Sequence, residues 1–206
     1  MARRTTANQD EYVVDRKLPL SVLAQFRKAL ASAKDERPLQ KFIERFPSML
    51  VQHVRAGGQR WVISQKRLGA EYVPDFLIGW RSSAGVEWQA VELESPCVPL
   101  FTKSGEQSEQ LRHAVRQVQD WRRWLLRNNA YASAPADQSG LDLKEIRADL
   151  EGLIIIGRRE SSDPQWNDLR KQIMSDLQIQ IHTYDWLVET VADRLAIQPA
   201  AKREAK

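Results

Sequence analysis

Polar and apolar positions alternate along this chain with two different periods, and the change of period marks out the elements. Leu23, Phe26 and Leu30 recur at helical spacing in LSVLAQFRKALASAK, with Ser21 placed to cap the helix start. In DERPLQKFIERFP, Leu39, Phe42, Ile43 and Phe46 recur at i, i+3, i+4 and i+7. Pro38 suits the first turn of this second helix, Pro47 ends it, and Glu36 stands at its positive end.

The period then shortens. RWVISQKRLG, EYVPDFLIGW and VEWQAVELE read as three strands, the last two joined across SSAG. After the Pro-bounded loop SPCVPLFTKSG, a helix is expected from about Glu106 to Asn128, followed by a loop in YASAPADQSG. EGLIIIGRR is a short continuous apolar run, as in a strand covered on both faces. PQWNDLRKQIMSDL, IQIHTY and DWLVETVADRLA then predict helix, strand and helix. The sum is a single α/β domain, a mixed sheet of about five strands flanked by helices, over residues 17–195. Residues 1–16 and 196–206 read as flexible tails.

Composition narrows the class only a little. The 206 residues suffice for one domain with a real core. The longest purely apolar run is Leu153–Ile156, which excludes a membrane-spanning helix, and MARRTTANQDEY has no apolar segment behind it to make a secretion signal. Cys97 is the only cysteine, so a cytoplasmic setting without disulfides is expected. A net charge of +4 permits a polyanionic partner without demanding one.

Candidate chemistry enters with the acids. Glu92 and Glu94, two residues apart on one strand, point the same way. A tight hairpin across Ser82–Gly85 brings Asp75 opposite Glu92. Acids so placed repel one another. A hard cation such as Mg²⁺ would neutralise them, whereas a hairpin end bathed in solvent would simply tolerate them. On the long helix, Arg112, Arg116, Arg123 and Arg127 fall within an arc of about 60°, away from the apolar arc of Leu111, Val115, Val118 and Leu125. The stripe has no acid at i+4 inside it. It is either a phosphate-binding face or an ordinary solvated one. His53, His113 and His182 show no metal-ligand spacing and are expected to be structural. Trp61, Trp80 and Trp88 are expected in the core or an interface. Gly57-Gly58 alone is a turn, so no nucleotide cofactor is expected.

The order of motifs adds a resemblance. PDFLIG…VELESP resembles the core signature of the PD-(D/E)xK nucleases, and ERPLQKFIERFP, RQVQDW, LIIIGRR and IHTYDWL resemble, in order, further motifs of the Shedu anti-phage defence nuclease domain. The resemblance implies a restriction-endonuclease-like fold that cuts double-stranded DNA with Mg²⁺ or Mn²⁺ in anti-phage or anti-plasmid defence and tends to self-associate. It implies that Asp75 and Glu92 hold the metal with help from the Leu93 carbonyl, that Glu36 is an accessory acid near it, and that Gln117 orients a phosphate or water. Lysine is usual in this superfamily where Glu94 stands. Glu94 would act as a general base or on a second metal, Lys103 would swing in as a substitute ammonium, or the domain would be a weakened enzyme that still binds DNA or assembles with partners.

Overall fold

A computed structural model describes residues 12–14, 17–55, 58–159 and 164–197. The predicted elements all form. Helices α1 (Leu20–Ser32) and α2 (Arg37–Arg45) precede strands β1 (Arg60–Ser64), β2 (Phe76–Ser82) and β3 (Gly85–Leu93). Helix α3 (Glu109–Ser133), β4 (Glu151–Ile155), α4 (Asn167–Leu177), β5 (Ile179–His182) and α5 (Tyr184–Ile197) follow. The sheet order is β1-β2-β3-β4-β5, antiparallel across the first three strands and parallel across the last three. The fold is thus a five-stranded mixed sheet flanked by helices.

The two strand faces build two separate cores, because successive side chains alternate. Leu77, Trp88, Ala90, Ile154 and Ile181 pack beneath α3 and α4. Phe76, Ile78, Val91, Leu93, Leu153 and Ile155 pack against α1, α2 and α5. The LIII run of β4 therefore feeds both cores, which is why it shows no alternation. Gly79 allows the stacking of Trp61 and Trp88, whose rings lie 6.3 Å apart. A Cβ at Gly79 would sit 2.9 Å from the Trp88 ring. Trp80, on the other face, is half-buried.

Local details depart from the sequence expectations. Helix α1 begins at Leu20 with Pro19 at its N-cap, so Ser21 lies inside the first turn and caps nothing. Helix α3 begins three residues later than expected because Ser108 caps it, accepting a hydrogen bond from the Leu111 N–H at 3.2 Å. It also outruns its expected end: Asn128 leaves helical geometry (φ −124°, ψ 20°), yet the helix resumes to Ser133. Of the N-terminal stretch, Val13 bridges Trp61 and the Val14 N–H donates to the Arg60 carbonyl, so residues 12–14 line the β1 edge instead of hanging loose. The remaining tail residues 1–11, 15–16 and 198–206, like Gly57, lie outside the described residues.

Candidate active site

Two residues, Ser83 and Ala84, close the β2–β3 hairpin between the Ser82↔Gly85 pair. From that turn the register runs without a bulge to Phe76↔Val91, and its next step sets Asp75 against Glu92. Parity puts Glu92 on the face of Ala90, beneath α3, whereas Asp75 lies one residue outside β2 and its carboxylate reaches Gln40 of α2. Asp75 sits just before β2, where its carbonyl accepts from the Gln65 N–H at 2.9 Å. Its carboxylate is fixed from two sides. Oδ2 accepts from the Leu93 N–H at 2.8 Å, and Oδ1 from Gln40 Nε2 at 2.9 Å. Leu93, expected as a carbonyl ligand, thus meets Asp75 through its amide.

Glu92 is buried at 8% exposure, and its Oε2 has no hydrogen-bond partner among the described residues. A buried charged oxygen without a partner is costly unless something neutralises it. Gln117 faces it from α3 and draws the raised carboxyl partly back, while the Gln117 Oε1 is itself buried and, among the described residues, unpartnered. The strand continues into Glu94, whose N–H donates to the Ile155 carbonyl at 2.9 Å. Beneath it the fully buried Tyr184 hydroxyl donates to the Glu94 carbonyl at 2.9 Å, pinning the strand exit. The Glu94 carboxylate lies 3.6 Å from His113 Nδ1.

The electrostatics follow from burial among like charges. Burial pushes the Asp75 carboxyl up to about 6, with Glu36 and Glu44 adding to the rise and the Leu93 N–H opposing it. Burial also drives Glu92 well above the usual carboxylate range, with Asp75, Glu94 and Glu36 pushing the same way. Glu94 is raised by burial and partly restored by His113. Even the Tyr184 phenol is pushed up, by burial first and then by these same acids.

Glu36 stands just ahead of α2 and acts on the cluster as a charge. Among the described residues, no three His, Cys, Asp or Glu side chains gather closely enough to surround one ion. The donors do fit a small hard cation, which takes one or two carboxylates and fills its shell with water. Asp75 and Glu92 offer such a pair, and the orphaned Glu92 Oε2 offers a free donor.

Helix α3 carries the arginines as the sequence predicts: Arg112, Arg116, Arg123 and Arg127 are all exposed, while Leu111, Val115, Val118 and Leu125 are buried. Arg123 is paired with Asp120, which lies three residues before it and just outside the arginine stripe. Among the described residues, no ion pair engages Arg112, Arg116 or Arg127, nor joins the exposed Lys103 to Glu94. Three contacts at the site were not expected from the sequence, Gln40 to Asp75, Tyr184 to Glu94 and His113 to Glu94. The last had a signal, since His113 and Gln117 lie one helical turn apart and so share a face.

The mixed sheet flanked by helices, with acids at adjoining strand ends, defines an α/β domain. The family model of the C-terminal region of the Shedu protein SduA matches residues 33–188, a span that contains all of the residues above. The chain belongs to this family. No curated protein matches it. Among the described residues, no helix is long and apolar enough to cross a membrane.

Proposed function

We propose that this chain is a DNA endonuclease dependent on Mg²⁺ or Mn²⁺, acting in the anti-phage defence to which its family membership points. One observation carries the reading. Three acids at the ends of β2 and β3 are driven up in pKa by burial and mutual repulsion, and the most buried has an orphaned oxygen. Structural acids acquire donors or cations, and here no Lys or Arg is paired with any of the three among the described residues, while one Glu92 oxygen has no donor.

Asp75 and Glu92 would hold the ion, with Glu36 behind them as an accessory charge. Such an ion, when bound, lowers the pKa of water and screens the negative phosphate. The chain supplies the rest. Gln40 and the Leu93 amide keep Asp75 aimed, so that little reorganisation is left for the reaction. Gln117 presents an unsatisfied carbonyl at Glu92, placed to orient a water or the substrate. Arg112, Arg116 and Arg127 would grip phosphates of a duplex without reading its bases, with Lys103 on the preceding loop and Arg123 in lesser roles. Self-association, which would present two sites to two strands, belongs to the same proposal, as does action in the cytoplasm.

Glu94 favours a second reading, a nuclease-fold module that binds DNA or assembles with partners but cuts weakly or not at all. A carboxylate there cannot donate a hydrogen bond to the phosphate as lysine does. Plasmid relaxation in Mg²⁺ or Mn²⁺ separates the two. Cutting by wild type and its loss in Asp75→Ala supports the enzyme. Cutting only by Glu94→Lys supports the decayed module, and equal cutting by wild type and Asp75→Ala rejects both.

A further inference from the structure

The acid at position 94 leaves the phosphate without the cation that lysine provides, and α3 offers one. Helix α3 lies over β3 so that Gln117 faces Glu92 and His113 faces Glu94. The match is geometric. Four helix residues advance about 6 Å and two strand residues about 6.7 Å, so an i, i+4 pair on the helix meets an i, i+2 pair on the strand. His113 therefore extends the row begun by Gln117 by one turn toward the helix start. It is 63% exposed, while the Glu94 side chain against its Nδ1 is only 14% exposed. The carboxylate anchors one edge of the ring and leaves the rest of the imidazole open to a ligand. The exposed Arg112 and Arg116 flank it on the neighbouring helix positions.

We infer that His113, held by Glu94, is the hydrogen-bond donor to the scissile phosphate, so that a carboxylate–imidazole pair takes the place of the single lysine. The inference rests on the nuclease reading and adds to it a residue that the sequence motifs do not contain. An imidazole has two ring nitrogens, so with Nδ1 turned to Glu94 the other is left to donate outward, where a lysine ammonium would. Glu94 acts through His113 and is a positioning residue. Gln117 keeps its own role beside Glu92. Burial raises the Glu94 carboxyl and His113 draws it back, which agrees with contact between the two.

The test is a cycle of variants on the full chain, read by single-turnover cleavage in Mn²⁺, by duplex DNA binding in Ca²⁺ and by melting temperature. His113→Ala should cut about 100-fold more slowly than wild type, the usual cost of losing one charged donor to a transition state. Binding and melting should stay as in wild type. His113→Lys should restore cutting to within about tenfold of wild type. In a Glu94→Lys background the same His113→Ala change should matter little, because the lysine replaces the pair. Unaltered cutting by His113→Ala, with Asp75→Ala inactive, overturns this inference and leaves the nuclease standing. An equal loss in both backgrounds also overturns it, since His113 would then only support the fold. Absence of metal-dependent cutting in wild type and in Glu94→Lys removes the nuclease reading itself and this inference with it.

Discussion

Two clusters of acids in this molecule behave in opposite ways. At the start of α5, Asp185 accepts from Arg158 and from the Arg159 N–H, and Glu189 is paired with Arg159. The hydrogen bonds and charges of these arginines carry the Asp185 carboxyl below its ordinary value against the pull of burial. The Arg159 hydrogen bond does the same for Glu189. At the ends of β2 and β3, Asp75, Glu92 and Glu94 meet one another, the charges of Glu36 and Glu44, glutamines, an amide and one histidine, and all three rise. The residue types are the same, and the difference lies in what the fold brings to meet them. Acids that hold a structure together are supplied with cations. Acids left short of them lower the stability of the empty protein, a cost that makes sense where a ligand supplies the missing charge.

The largest effect expected is at Glu92. Glu92→Gln should lower cleavage by at least about 100-fold and at the same time raise the melting temperature of the metal-free protein at pH 8. The sign follows from linkage. A carboxyl whose folded pKa is raised binds more protons folded than unfolded, so its contribution to stability is present below the unfolded value and is lost as pH rises through the folded one. For Asp75 that window runs from its ordinary value of 3.8 to about 6. For Glu92 it begins near 4.5 and extends upward. The stabilisation by Glu92→Gln should therefore shrink towards zero near pH 4. A melting temperature lowered at pH 8 would break the contrast between the two clusters.

Next comes a cation committed to structure. Arg122 on α3 donates to the Leu150, Leu177 and Gln178 carbonyls at 3.0, 2.6 and 2.8 Å. It thereby ties the helix to the start of β4 and the end of α4. Arg122→Ala should cost about 3 kcal/mol in chemical denaturation, since charged hydrogen bonds to half-buried carbonyls are lost together. Duplex binding at temperatures where the variant is folded should be unchanged.

Arg112 and Arg116 should behave the other way. Replacing both with alanine should leave denaturation within about 0.5 kcal/mol of wild type. It should reduce the slope of log affinity against log salt by about 2 if each neutralises one phosphate. An unchanged slope would return the stripe to an ordinary solvated face. Smallest of all, Arg159→Ala should cost less than about 1 kcal/mol and leave cleavage intact, because the Arg159–Glu189 pair is exposed.

The strands and the pairing of Asp75 with Glu92 could be read from the sequence because both rest on local rules. Alternation fixes the face, and a two-residue turn fixes the register. Helix boundaries were less legible. Ser21 resembles a cap, but α1 starts a residue earlier at Leu20, while Ser108, inside the stretch expected to be helical already, is the cap that forms. What binds the site together was hidden for a different reason. Gln40 to Asp75 spans 35 residues and Tyr184 to Glu94 spans 90, and no periodicity reports a contact made only when layers pack. The Arg123–Asp120 pair, by contrast, was available from spacing alone.

The central claim is that the acids at the ends of β2 and β3 form a pocket awaiting a divalent cation, and titration of the metal-free protein with Mn²⁺ tests it most directly. Followed by melting temperature at pH 8, wild type should show a saturable rise that vanishes in Asp75→Ala and in Glu92→Gln. No rise in wild type, or the same rise in all three proteins, would contradict it.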